Sequence, residues 1–174
     1  TLMSTSGFML MVDSENLIML FIGLEIGSIS LYALAGLNRV DKLSNEASLK
    51  YFLLGSLASC IFIYGVSLVY VSFSVLSVYD FATGVGFVGA DSVPLTTKLG
   101  VILIFIGLLF KIAAAPFQSW APDVYQGSPT GYVGYMASIA KASAFIVIAR
   151  LCQVSLRFMP VSYTHLTLPT SHNV

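Results

Sequence analysis

The sequence predicts an all-α polytopic membrane protein, and three observations carry that prediction. Of 174 residues, 57% are hydrophobic and only 9% are charged, against about a quarter charged in a water-soluble domain. Mean hydropathy is +0.89. After residue 16 the chain holds four apolar runs near the roughly 20 residues a bilayer crossing needs. None of these runs alternates polar with apolar residues as a barrel strand does. In lipid each backbone N–H and C=O must be satisfied within its own segment, so the runs are helices.

The same numbers exclude other classes. Eight basic and eight acidic residues are too few to cover the surface of a soluble enzyme. A formal net charge of zero leaves no basic patch to meet phosphates, which argues against a nucleic-acid partner and for the lipid bilayer as the surroundings. The apolar content far exceeds what a disordered chain tolerates.

Taken in order, Leu2 to Val12 is apolar but too short to cross a bilayer, and reads as the end of a piece whose upstream helices are missing. Asp13 to Asn16 is a tight acidic turn. The crossings then fall at Leu17–Leu37, Tyr51–Val71, Leu99–Ala115 and Gly131–Leu151. Asn38 to Glu46 is a short polar connection, and Phe73 to Pro94 a longer Gly- and Ser-rich surface loop. Within that loop, residues 84–89 match the pattern GxGxxG, but neither a βαβ unit nor a suitably spaced acid accompanies it, so it carries no dinucleotide. Cys60 and Cys152 lie in apolar runs and read as small hydrophobes. The chain divides into residues 1–160, a membrane domain, and 161–174, VSYTHLTLPTSHNV, which looks like a non-native adapter-derived tail. Both histidines, His165 and His172, lie in that tail, so no histidine metal or acid–base site is expected. The short loop holding Arg39 and Lys42 is the better cytoplasmic candidate.

Three ionisable residues stand where charge is costly. Glu25 is near the middle of the first crossing, Lys141 is central in the fourth, and Lys111 comes late in the third. A charge at the bilayer centre costs roughly 2.5–3.5 kcal/mol, so three cost about 8–10 kcal/mol if unpaired. One acid neutralises one base, so a structural ion pair cannot account for both lysines. The reading that remains is a polar proton pathway in which Glu25 modulates Lys111 and Lys141 is the next acceptor. Lys50 begins the second crossing, where snorkelling to the interface is an equal alternative. Gly23, Gly27, Ser28, Ser30, Gly55, Ser56, Ser59, Ser138 and Ser143 surround these charges and allow close helix approach or hydrogen bonds.

Pro116, Pro122 and Pro129 interrupt the stretch after Lys111, so no continuous helix runs through it. Discontinuous helices recur where transporters place ion sites. For the part beyond Pro122, an interfacial loop with Trp120 and Tyr125 as headgroup anchors is an equal reading.

The segments LFIGLEIGSISLYALAG, EASLKYFLLG, GLLFKIAAAPFQSWAPDVYQGSPT and IAKASAF together resemble subunit N of bacterial proton-pumping NADH–quinone oxidoreductase, respiratory complex I (subunit 2 in mitochondria). The resemblance spans about residues 1–151. It implies the middle portion of an antiporter-like helix bundle with one discontinuous helix, broken at Pro116. By the resemblance the family's functional acid falls on Glu25 and its lysines on Lys50, Lys111 and Lys141, with Glu25 and Lys111 as a switch that opens and closes. It implies membrane subunits of complex I as partners and a bacterial inner membrane, or a mitochondrial one. NADH, FMN, iron–sulfur clusters and quinone belong, by the same resemblance, to partner subunits, with no cofactor on this chain. Gln118 stands where many members have His, so a proton relay there is lost or passes to water. The rival readings are a subunit of a cation/proton antiporter and a membrane scaffold without transport.

Overall fold

The computed structural model describes residues 1–89 and 92–158, with side chains through residue 153. Residues 161–174, expected to be a non-native tail and holding both histidines, lie outside the described residues. Among the described residues seven helices follow one another: α1 Leu2–Asp13, α2 Leu17–Ala35, α3 Lys42–Phe73, α4 Val78–Val88, α5 Leu95–Lys111, α6 Trp120–Gly127 and α7 Thr130–Phe158. A single 3-10 turn, Phe117–Ser119, lies between α5 and α6.

Helix starts follow local chemistry. Asn16 caps α2 by accepting the Ile18 and Met19 amides, and Asp41 caps α3 by accepting the Leu43 amide at 3.0 Å; each satisfies a donor the first turn leaves free. α3 is 32 residues long, about 48 Å at 1.5 Å per residue. That exceeds the ~30 Å hydrocarbon core, so it starts nine residues before the expected Tyr51 and carries Glu46 and Lys50 in its extra length.

Among the described residues α2, α3 and α7 are long and apolar enough to cross a membrane. The expected third crossing, Leu99–Ala115, is displaced. α5 begins after Pro94, which sets its first turn, and ends at Lys111 after 17 residues. Ala113 then takes a left-handed φ of 55°, a conformation that cannot continue an α-helix of L-residues.

The expected surface loop Phe73–Pro94 is a correction of substance. Residues 78–88 form α4, because the Ser77 hydroxyl accepts the Asp80 amide at 3.3 Å and caps it. Val78 and Ala82 are buried. The turn before α4 is fastened to the turn before α2: the Leu17 amide donates to Leu76 O and the Val78 amide to Glu15 O, both at 2.9 Å. The GxGxxG residues thus lie in and just after a helix, far from any nucleotide-binding turn.

Apolar side chains fill the interior, including Leu20, Leu24, Leu31, Phe62 and Leu108. Others, such as Leu53, Leu57, Tyr64 and Ile146, cover the outside, as expected where the solvent is lipid. Cys60 is among the exposed residues and Cys152 is half-buried, both as free thiols. α3 packs most extensively on α5 and α1 on α2. The α3–α5 crossing is back to back at Gly65 and Gly100: a Cβ on Gly65 would stand 2.6 Å from Gly100 O and 2.8 Å from Ile104 N. Neither neighbour is a movable side-chain tip. Arg150 of α7 donates Nη1 to Val12 O at 2.6 Å and Nη2 to Ser14 O. Its charge therefore sits at the negative C-terminal end of α1 and ties first helix to last.

Gly65→Ala must push α3 and α5 apart. An overpacking cost of about 1–3 kcal/mol is expected, read as a lowered thermal unfolding midpoint of the subunit in its membrane assembly, whereas Ala58→Gly on the same helix is expected to change that midpoint less.

Candidate functional site: a buried lysine on three helices

Lys111 is the last residue of α5 and is only 6% exposed. The last turn of a helix is a favourable place for a cationic residue. The ammonium donates to Ser28 Oγ at 2.9 Å and to Tyr32 Oη at 3.1 Å, both on α2, and lies 5.6 Å from the centre of the Tyr32 ring. Ser28 and Tyr32 are one turn apart and share a helix face.

Glu25 lies one turn before Ser28 on that helix, half-buried. Its Oε1 accepts a hydrogen bond from Ser59 Oγ of α3. That hydroxyl has one proton, and Gly55 O at 3.1 Å is its alternative acceptor. Among the described residues the ion pairs within 4.0 Å are Lys50 with Glu46 and Lys50 with Asp123. Glu25 and Lys111 therefore sit in one cluster without a direct ion pair, each on hydroxyls. The expected pair shares one helix junction rather than an ion pair, Lys111 held by Ser28 and Tyr32 and Glu25 by Ser59.

Hydroxyl partners matter chemically. An ammonium needs acceptors and a neutral amine needs a donor; serine and tyrosine hydroxyls can be either. Ser28 now donates to Leu24 O at 2.6 Å while accepting from Lys111. The site can satisfy both protonation states of Lys111 by turning hydroxyls, which a carboxylate partner alone cannot do.

Lys50 stands elsewhere. Its ammonium is 2.7 Å from Glu46 of its own helix and 2.8 Å from Asp123 of α6, beside a cleft of about 140 Å³ that Gln126 also lines. The side chains of Lys50 and Asp123 are 42% and 56% exposed, so solvent weakens the pair.

The segment between α5 and α7 departs from one expectation. Trp120 is 3% exposed and is no headgroup anchor. Its indole N–H donates to Phe110 O at 3.1 Å, and its ring stacks on Tyr51 of α3 at 4.9 Å and 12°. Pro122 lies in the first turn of α6, where its missing N–H removes no helical bond, so residues 120–127 are helical despite it. Pro116 and Gln118 are exposed on the connection itself. Lys141 of α7 is half-buried, its ammonium 5.5 Å from the centre of the Tyr125 ring. Phe110, Trp120 and Tyr125 form a contiguous ring set, so aromatic packing adjoins both the Lys111 and the Lys141 positions.

Sequence reasoning grouped Ser28 and Ser59 with small packing residues and passed over Tyr32 as a ligand. The signal was present: Ser28 and Tyr32 follow Glu25 at three and seven residues, one face of an α-helix.

Residues 14–170 match the family described as NADH:quinone oxidoreductase/Mrp antiporter, transmembrane. NADH-quinone oxidoreductase subunit N 1 of Chloroherpeton thalassium is 45% identical over 169 residues, 97% of this chain and 34% of that protein. Among solved structures, respiratory complex I from Thermus thermophilus with bound aureothin contains a chain of 40% identity and TM-score 0.71, matching 83% of this chain and 31% of that one. The membrane-bound sulfane sulfur reductase, an archaeal respiratory membrane complex, contains one of 28% identity and TM-score 0.76, over 85% and 29%. The chain spans about a third of the length of the curated relatives it matches.

Trp120→Phe keeps the ring stack and removes the hydrogen bond to Phe110 O. The Ala113 amide still donates to that carbonyl at 3.0 Å, so the loss is that of one hydrogen bond, about 0.5–1.5 kcal/mol, read as faster protease cleavage between residues 112 and 119. Asp123→Asn, at a solvated pair, is expected to change that cleavage less.

Proposed function

Because the chain belongs to the NADH:quinone oxidoreductase/Mrp antiporter transmembrane family, we propose that it is a portion of the subunit N type and moves protons across the membrane. In this reading Lys111 is the central proton carrier, Glu25 the charge that modulates it, and Lys141 the acceptor beyond it. Lys50 serves at the surface end of α3. The observation that carries the reading is Lys111 itself: a lysine 6% exposed, at the end of a discontinuous helix, held by two hydroxyls. An apolar side chain would pack there at lower cost, so a lysine retained in such surroundings reads as functional.

The steps follow from the groups present. With its proton, Lys111 donates to Ser28 and Tyr32. The approach of the Glu25 carboxylate stabilises that charged form, and its withdrawal leaves desolvation to favour release. Ser59 holds one oxygen of Glu25, and exchange of its proton to Gly55 O frees the carboxylate to move. On release, one hydroxyl turns and donates to the neutral amine. Lys141, held against a ring face rather than by an acceptor, takes the proton onward.

The same reading places the chain among other membrane subunits of a respiratory oxidoreductase in the bacterial inner membrane, with NADH, FMN, iron–sulfur clusters and quinone on partner subunits. A second reading, a cation/proton antiporter-type subunit of another membrane complex, draws support from the likeness to the sulfane sulfur reductase complex.

Lys111→Ala in the full-length subunit of the assembled complex is expected to abolish proton translocation while the complex still assembles. NADH-driven quenching of a pH-sensitive dye in membrane vesicles measures it, and undiminished quenching would refute the proton role. Sodium-dependent transport without NADH or quinone would instead favour the second reading.

A further inference from the structure

Gly55 of α3 is packed against the hydroxyl that ligates Lys111, not merely against another helix. A Cβ built on Gly55 meets the Tyr32 hydroxyl first, closer than any real contact, and then Tyr32 Cζ at 2.8 Å and Cε1 at 3.0 Å. Tyr32 cannot easily step aside. Its ring is 5% exposed and edge-packed on Tyr51 at 4.7 Å and on Phe52 at 5.8 Å. The hydroxyl sits in the notch left by the absent side chain, and from there reaches Lys111.

We infer that Tyr32 and Gly55 act together as positioning residues for Lys111: the notch at Gly55 seats the Tyr32 hydroxyl where it can hold the ammonium. α3 thereby governs a contact between α2 and α5 through the space its own backbone leaves at Gly55. The backbone carbonyl of Gly55 is also the alternative acceptor for Ser59, the residue holding Glu25. One residue of α3 thus adjoins the ligands of both charged groups, so a shift of α3 along α2 changes both. This inference rests on the proton-carrying role proposed for Lys111.

The test uses Tyr32→Phe, Gly55→Ala and the double variant in the full-length subunit of the assembled complex. Assembly is scored by native electrophoresis, and proton translocation is measured as dye quenching per NADH oxidised. Tyr32→Phe keeps the ring and removes one oxygen. It is expected to assemble normally and to lower translocation about tenfold, the factor that losing one hydrogen bond to a charged group carries. Gly55→Ala is expected to lower it similarly with Tyr32 intact. The double variant is expected to fall no further than Tyr32→Phe, because the severest contact goes with the hydroxyl and only the milder ring contacts, Cζ at 2.8 Å and Cε1 at 3.0 Å, remain.

Normal translocation in either single variant overturns the inference, as does an additive loss in the double. Should Gly55→Ala fail to assemble, restored assembly in the double supports the shared notch, and no restoration overturns it. Loss in Lys111→Ala with none in Tyr32→Phe overturns the inference alone. Normal translocation in Lys111→Ala removes the proton role and this inference with it.

Discussion

The ammonium of Lys111, held in an apolar interior by two hydroxyls, is the contact on which the arrangement turns. Desolvation disfavours any buried charge, and hydrogen bonds to Ser28 and Tyr32 offset part of that cost. Those partners lie on α2 while the lysine ends α5, so satisfying one side chain requires two helices distant in sequence to meet at one depth. α3 lies against both and supplies Ser59 to Glu25. A three-helix junction follows from a single polar group that cannot be left unpaired.

Bringing helices this near has a steric condition, and small residues meet it. Gly65 and Gly100 let the α3 and α5 backbones touch, where side chains would hold the axes apart and lift Lys111 away from α2. In lipid, helices gain little from apolar burial alone, so close packing and interhelical hydrogen bonds carry more of the association. Glycine contact and lysine ligation are therefore two parts of one design. α5 stops at Lys111 because Ala113 turns left-handed, and Trp120 then closes the gap by bonding back to Phe110 O and stacking on Tyr51.

Much of this was legible in the residues, and the reasons for the remainder are physical. The depth of Glu25, Lys111 and Lys141 in apolar runs was visible because charge in lipid is costly whatever the packing. The crossing at Leu17 and the break at Pro116 were visible for similarly local reasons. Which groups answer the charges was not, since hydroxyls on α2 and α3 serve packing and hydrogen bonding alike until the helices are set in register. α4 was hidden by Gly84, Gly86 and Gly89, whose weak helix preference outweighed the Ser77 cap and Asp80 three residues on. Trp120 stood equally as a surface anchor because amphipathic rings suit both an interface and a stacked interior, and only Tyr51 decides between them.

The two central lysines differ in a way their sequence positions do not reveal. Lys111 is enclosed by groups that accept and donate; Lys141 is half-buried against the face of Tyr125. A ring face stabilises a cation through its quadrupole but offers a neutral amine no comparable partner. Tyr125 thus gives Lys141 a ring face for a partner, whereas the hydroxyls at Lys111 can donate or accept. Tyr125 belongs to α6, whose Trp120 is bonded to the last turn of α5, so any movement of the break is felt at the ligand of one lysine and the helix end of the other. One lysine enclosed by hydroxyls and another held against a ring face make an asymmetry that a row of identical lysines would lack. The discontinuity between α5 and α7 places that asymmetry within one short stretch of chain.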